Sequence, residues 1–325
     1  MPHTLGIDLG GTKVLAGVVD SKSGKVISTA KKRSKAEHTA SDIVERLIEA
    51  AKDALQAAGS HKNEVDRIGI GVAGQIDRAT GVVVNAPNLA GLRQFKLAQM
   101  VEKELGKPVH LYNDVEAGAA GEAAFGAGKS HKNFFVIFVG TGIGGAIYEN
   151  GKPFRGHTGT AGEIGHSVID FNGRVCGCGG LGHLEAYASR TAVVRTILNA
   201  LHAGRPSVLR DIAANADPND PGGSGIRSGA IGEALAQGDE LTSEMITMAA
   251  RYLGAGLASV INVYNPHLII LGGGLIDAVD LFFSVAASHA RQEALTTPRR
   301  DVNIVKAALG DNAGIVGAAY LAAQA

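Results

Sequence analysis

The sequence predicts a two-lobed α/β protein built on mixed sheets, and three observations carry that prediction. Two stretches, TLGIDLGGTKVLAGVVDSKSGKVI from Thr4 and FFVIFVGTGIGGAIYENGKPF from Phe134, repeat one plan of apolar strand, glycine-rich turn, second strand and second turn. Between and after them strand and helix patterns alternate, as they do where a sheet is covered on both faces. The chain has 325 residues, more than one hydrophobic core usually spans.

In chain order, the first hairpin turns at Gly10-Gly11 and again at Ser23-Gly24. Ser41 to Ala58 sets Ile43, Leu47, Ile48, Ala51 and Leu55 on one helical face, with Ser41 as cap and Gly59 as stop. Arg67 to Gly74 and Pro108 to Asn113 read as buried strands, and Val115 to Phe125 as a helix stopped by Gly126 and Gly128. The second hairpin ends at Asn150-Gly151. A loop with both cysteines follows, then a helix from about His183 and long helical patterns over Met245 to Tyr264. Asp217 to Gly225 is too rich in Pro and Gly to extend a helix. His267 to Gly274 is a strand running into a glycine turn, and a last helix from about Ala313 crosses back onto the first lobe.

Composition narrows the function. With 45% apolar residues, 5% aromatic, no Trp and 45 glycines in no three-residue period, collagen-like and disordered chains are excluded. Lys plus Arg equals Asp plus Glu at 31 each, so no global field draws the chain to nucleic acid or an anionic membrane. The basic run Lys31 to Lys35 lacks interleaved aromatics and reads as a solvated strand end or loop. Neither a signal peptide nor an apolar run of membrane-spanning length is visible, and two closely spaced cysteines suit a reducing cytoplasm.

The motifs point to an anionic ligand and a polyol. Asp8, Gly10, Gly11, Thr12 and Lys13 share one hairpin turn; it reads either as an ordinary turn with glycines at positive φ or as a backbone nest for phosphate. A carboxylate beside a phosphate cradle is repulsive unless a divalent cation lies between them, which sharpens the second reading. Gly140 to Gly145 contains G-x-G-x-x-G, but the chain continues as a strand rather than a helix, against dinucleotide binding. Gly128-Lys129-Ser130 follows a helix rather than a strand, against a P-loop. Asn113 and Asp114 lie where a strand becomes a helix; they suit a cap and also a base, because the helix's positive end keeps a carboxylate ionised. Glu163, His166 and Glu185 surround the Cys176-x-Cys178 loop and suit ligand hydroxyls, whereas Glu122 and Glu149 read as solvated. For the cysteine pair itself metal, catalysis and accident all stay open at this point.

At Asp8 to Lys13, Asn113-Asp114, Gly140 to Gly145, Glu163 to His166, the Cys-x-Cys loop, Gly272 to Gly274 and Gly310 to Gly314 the chain resembles the ROK family of sugar kinases and sugar-responsive repressors, most closely its bacterial glucokinases. The resemblance implies an actin-like, ribonuclease H-like duplicated fold with ATP and a hexose meeting between the lobes. Residues 1–117 with about 306–325 would form the small domain, and 118–305 the large domain with the zinc loop and adenosine site. By motif match Asp8, Gly10, Gly11, Thr12, Lys13, Gly140, Thr141, Gly142, Gly273 and Gly274 would bind nucleotide, with Asp8 facing Mg²⁺. Asp114 would be the base, with Asn88, Asn113, Asp114, Glu163, His166 and Glu185 on the sugar. Relatives hold a structural zinc with one histidine and three cysteines; here His183 stands at the third cysteine position, implying His166, Cys176, Cys178 and His183 as ligands. Leu92 stands where many relatives carry an aromatic residue.

The expected activity is ATP-dependent phosphorylation of a hexose 6-hydroxyl, glucose first, with N-acetylhexosamine, mannose or fructose as alternatives and polyphosphate as an alternative donor. A sugar-sensing repressor is the reading from another class; only seven residues precede Asp8, which leaves no room for a DNA-reading domain, and neutral charge agrees. The resemblance also implies a homodimer.

Overall fold

The computed structural model describes residues 3–34, 39–89, 91–214 and 225–325. The expected loop at Asp217 to Gly225 lies outside them except for Gly225, as does Lys35 of the basic run. By internal contacts the chain forms two units, Met1–Ser130 with Ala308–Ala325, and His131–Ala307.

The first unit opens with β1 (His3–Leu9), β2 (Lys13–Asp20) and β3 (Val26–Arg33), followed by α1 (Ala40–Ala57) and β4 (Val65–Val72). A small hairpin of β5 (Gln75–Asp77) and β6 (Val82–Asn85), then α2 (Leu97–Leu105), β7 (Val109–Asn113) and α3 (Asp114–Phe125) complete its first piece. The second unit contains β8 (Phe134–Val139), β9 (Ile143–Glu149), β10 (Lys152–Phe154), α4 (Glu185–Ala188), α5 (Arg190–His202), α6 (Ser228–Ala236) and α7 (Glu240–Tyr264). It ends with β11 (Leu268–Gly272), α8 (Gly274–Ala278), α9 (Asp280–Glu293), α10 (Thr296–Arg300) and β12 (Asn303–Lys306). The chain then returns to the first unit as α11 (Ala313–Ala322).

The sheets are β3-β2-β1-β4-β7 and β10-β9-β8-β11-β12. In each, a central strand has an antiparallel hairpin on one side and parallel strands on the other. The same order twice is the duplication that the repeated hairpins predict.

Period-two alternation decides what covers each face of the first sheet. Leu5, Ile7 and Leu9 point into one core with Ile43 and Leu47 of α1. Between them lies Gly6, where a Cβ would strike the carbonyl of Ile315; Gly69 on β4 meets Ala318 in the same way. Bare strand backbone therefore lets α11 lie directly on the other face. Each fully buried Leu or Ile here contributes about 1.5–3 kcal/mol. In the second unit Ile137 and Val139 of β8 pack with Ile197, Leu253 and Leu257. Among the described residues α7 alone is long and apolar enough to cross a membrane, whereas the sequence reading saw no such apolar run and began the helical pattern at Met245 rather than Glu240. Its apolar positions Leu253, Leu257 and Ile261 are fully buried in that core.

Two local expectations are corrected. Thr39, not Ser41, caps α1, because Asp42 sits three residues on and bonds back to the Thr39 backbone in a reciprocal box. Glu122, expected on a solvated face, is fully buried. Its carboxylate accepts backbone N–H bonds from Ala127 at 2.8 Å, Ala308 at 3.1 Å and Leu309 at 2.8 Å. One side chain thus fastens both segments at which the first unit's chain leaves and re-enters. Glu149 is exposed, as expected.

Candidate active site and metal centre

In the first unit the turn between β1 and β2 closes with Gly10 N–H donating to Lys13 O at 3.0 Å. Neither Gly10 nor Gly11 has a positive φ, so turn strain does not explain them. At Gly11 an added Cβ would lie 2.9 Å from the Asn88 carbonyl oxygen, so the residue is small because Asn88 approaches it. Leu92, by contrast, is fully buried in the core and faces packing rather than ligand.

Asp8, near the end of β1, is half-buried. Burial first, then Asp114, push its carboxyl up to about 7, with Lys13 pulling down and Asp311 adding to the rise. Two neighbouring carboxylates repel each other, which is the electrostatic setting a divalent cation fits. Lys13 is engaged elsewhere, 2.7 Å from Asp311 in the turn Gly310–Asn312, where it holds the Asp311 carboxyl below its usual range. Gly314 must lack a side chain here, since a Cβ would lie 2.9 Å from the Asp8 carboxyl carbon.

Asp114 is the first residue of α3, and Asn113 is its cap. Asn113 Oδ1 accepts from Val115 N at 3.0 Å and Glu116 N at 3.1 Å, while Nδ2 donates to Gly74 O at 3.1 Å. That amide spends three bonds fixing where α3 begins, and hence where Asp114 points.

The second unit has its own glycine turn. Gly140 N–H donates to Gly142 O at 2.9 Å, and neither residue has a positive φ. A Cβ at Gly140 would meet nothing, whereas at Gly142 it would strike the Glu185 carboxylate. Glu185 Oε2 accepts from Ile143 N at 2.7 Å, and the Cys176 thiol lies 3.7 Å from Oε1. Glu185 therefore ties the glycine turn to the cysteine loop. Glu163 is exposed just before the turn Ile164–His166. Gly273, at φ 94°, is the residue that caps α8, and a Cβ on Gly274 would lie 3.6 Å from Ser228 Oγ.

The cysteine loop folds back between Val175 and Leu181, with Cys176 N–H donating to Gly180 O at 2.8 Å. One donor atom from each of His166, Cys176, Cys178 and His183 lies within 4.8 Å of the others. The Nδ1 atoms of His166 and His183 are 3.4 Å apart, Cys176 Sγ is 3.8 Å from His166 Nδ1, and Cys178 Sγ is 3.2 Å from His183 Nδ1. A tetrahedral zinc, with bonds of about 2.0–2.1 Å to nitrogen and about 2.3 Å to sulfur, sets donors about 3.4–3.8 Å apart. The residues present fit that ion. Burial pushes the Cys176 thiol up to about 11, so a nearby cation is what would hold it ionised. Because Nδ1 of His166 faces the cluster, Nε2 is the nitrogen left for another partner.

Sequence reasoning missed Arg190. It opens α5, its backbone N–H donates to Gly140 O at 3.0 Å, and its guanidinium donates to Thr141 Oγ1 at 2.9 Å. Burial first, and Arg227 second, pull it below its usual range. A cation in the first turn opposes the helix dipole, a cost that makes sense beside an anion. That conflict with the dipole was the available signal.

The sequence matches the ROK family over residues 4–325. This chain belongs to the ROK family. It is 38% identical to a glucokinase of Streptomyces coelicolor over 325 residues, covering 100% of this chain and 98% of that one. It is also 32% identical to a putative xylose repressor of Caldicellulosiruptor, over 96% of this chain and 76% of the repressor. Among solved structures, a ROK family glucokinase from Streptomyces griseus, in complex with glucose and AMPPNP, superposes with a TM-score of 0.86 at 37% identity, covering 99% of this chain and 100% of that one. The fold is the actin-like one that the resemblance implied.

Proposed function

We propose that this ROK protein is an ATP-dependent hexose kinase of glucokinase type, transferring a phosphoryl group to the 6-hydroxyl of glucose. The observation that carries the reading is 38% identity to a glucokinase over the full chain, and the closeness of Asp8 and Asp114 at the end of β1 and the start of α3 agrees with it. Similarity to glucokinases along the whole chain supports it.

Phosphoryl transfer has a loose transition state, so positioning and charge neutralisation supply most of the acceleration. Asp114, held at the start of α3 by the Asn113 cap, accepts the proton of the attacking hydroxyl. Asn88, Asn113, Glu163, His166 and Glu185 orient the sugar by its hydroxyls. The Gly10–Thr12 and Gly140–Gly142 turns present backbone N–H groups to phosphate oxygens, with Lys13 and Arg190 adding positive charge, and Gly273-Gly274 lie by the adenosine. Asp8 would hold Mg²⁺, whose chemistry is neutralisation of the phosphates. His166, Cys176, Cys178 and His183 would hold a structural zinc that fixes the loop between Glu163 and Glu185. Assembly as a cytoplasmic homodimer belongs to the same reading, and light scattering of the purified protein checks the dimer.

A coupled ADP-release screen over hexoses and amino sugars, repeated with polyphosphate as donor, tests the assignment. Glucose with ATP is expected to give the highest kcat/KM. Preference for N-acetylhexosamine, mannose or fructose would replace the substrate. Sugar binding without ADP release from any member would overturn the kinase reading in favour of a sugar sensor. Asp114→Asn should keep sugar affinity and lower kcat at least about a hundredfold; near-normal turnover would refute its role as base.

A further inference from the structure

A second cluster of metal-ligating side chains lies in the first unit, at the end of β1 remote from Asp8. His3 begins β1 and pairs with Val65, the first residue of β4. The turn Gly59–Glu64 immediately precedes Val65 and carries His61 and Glu64 three residues apart. Strand pairing thus delivers His3 to the place where that turn ends.

The three side chains converge. The His3 and His61 rings are 4.9 Å apart, His3 Nδ1 is 2.9 Å from Glu64 Oε2, and His61 Nδ1 is 4.0 Å from Glu64 Oε1. One donor atom of each lies within 4.8 Å of the other two. His3 is 6% exposed, and its Nδ1 makes no hydrogen bond among the described residues although the Glu64 carboxylate is so close. The oxygen is near but not where the ring nitrogen directs its bond. A buried, misdirected donor beside a carboxylate and a second imidazole is the arrangement that an ion drawn into the triangle would satisfy. Asp20, opposite His3 in the β1–β2 register, adds a further negative group.

We propose that His3, His61 and Glu64 form a second metal site, for a borderline divalent ion of the zinc class, which staples the start of β1 to the turn before β4. Two imidazoles and a carboxylate are a donor set zinc accepts with an open position for water. The part of the site is structural, and it is independent of the proposed phosphoryl transfer and of the cysteine loop.

The test is zinc titration of the metal-stripped full-length protein, followed by equilibrium dialysis and thermal melting. Wild type is expected to bind one equivalent more than either His61→Ala or Glu64→Gln, and the zinc-dependent rise in Tm should shrink in both. Because His61 and Glu64 are about half exposed, both variants should fold, and their glucose kinase activity should match wild type. The readout is a difference of one equivalent, so it does not depend on whether the Cys-His cluster is filled. Cobalt separates the sites further, since only the cysteine loop can give thiolate charge-transfer absorption. Equal stoichiometry and affinity in wild type and both variants would overturn the proposal.

Discussion

Replacing Asp8 by Asn should make the metal-free protein more stable while impairing catalysis, and the size of the gain follows from the electrostatics of the site. An ordinary aspartate ionises at 3.8, whereas burial and Asp114 push Asp8 up to about 7. Between those values the folded chain holds a proton that the unfolded chain releases. Stability contributed by neutral Asp8 is therefore complete below about pH 4 and is lost as pH rises to about 7, opposite in sign to a salt-bridged carboxylate. At about 1.4 kcal/mol per pH unit the full loss is about 4 kcal/mol, and structural relaxation with water entry brings it nearer 2. Asn has no such dependence. For a unit of this size the variant should melt about 5–10 °C above wild type at pH 8 in EDTA, with the gap closing toward pH 4. Saturating Mg²⁺ should narrow the gap at pH 8 by favouring ionised Asp8 in the wild type. Differential scanning calorimetry at both pH values, with and without Mg²⁺, measures this. A variant that melts no higher than wild type at pH 8, or by the same margin at pH 4, would refute the reasoning.

Glu122→Ala removes the shared carboxylate acceptor of three part-buried N–H groups, and at about 1 kcal/mol for each, because water can partly replace it, urea unfolding should show a loss of about 3 kcal/mol. Amide exchange at Ala127, Ala308 and Leu309 should accelerate together; unchanged protection at Ala308 would count against the shared clamp. Purified wild type should carry at least one equivalent of zinc, and Cys178→Ser should carry one equivalent less and melt lower, as metal analysis and calorimetry would show. Arg190→Ala should raise KM for ATP about tenfold with little change in KM for the sugar, measured by steady-state kinetics. Equal ATP affinity in that variant would remove Arg190 from the nucleotide.

Much of the architecture was legible because it is local. Two glycine turns between apolar strands announced the doubled hairpin, and Asn113-Asp114 at a strand end announced the cap of α3. What escaped depends on partners distant in sequence. Glu122 has the local pattern of a surface residue, and the groups that justify its burial include Ala308 and Leu309, 186 and 187 positions away. The reading of Gly11 and Gly142 as turn-formers missed why they are small: each makes room for a neighbour, Asn88 or Glu185, brought by another element. Ser41 looked like a cap because it stands before the apolar face, yet the reciprocal bond between Thr39 and Asp42 moved the boundary by two residues.

Because the first unit is assembled from Met1–Ser130 and Ala308–Ala325, the ribosome must translate all of His131–Ala307 before that unit can be finished. At usual synthesis rates this is a wait on the order of ten to forty seconds, during which the strand face around Gly6 and Gly69 has no α11 to cover it. The continuous second unit can fold as it emerges. A nascent chain stalled just before Ala313 should therefore be protease-sensitive in its first 130 residues and resistant in the rest.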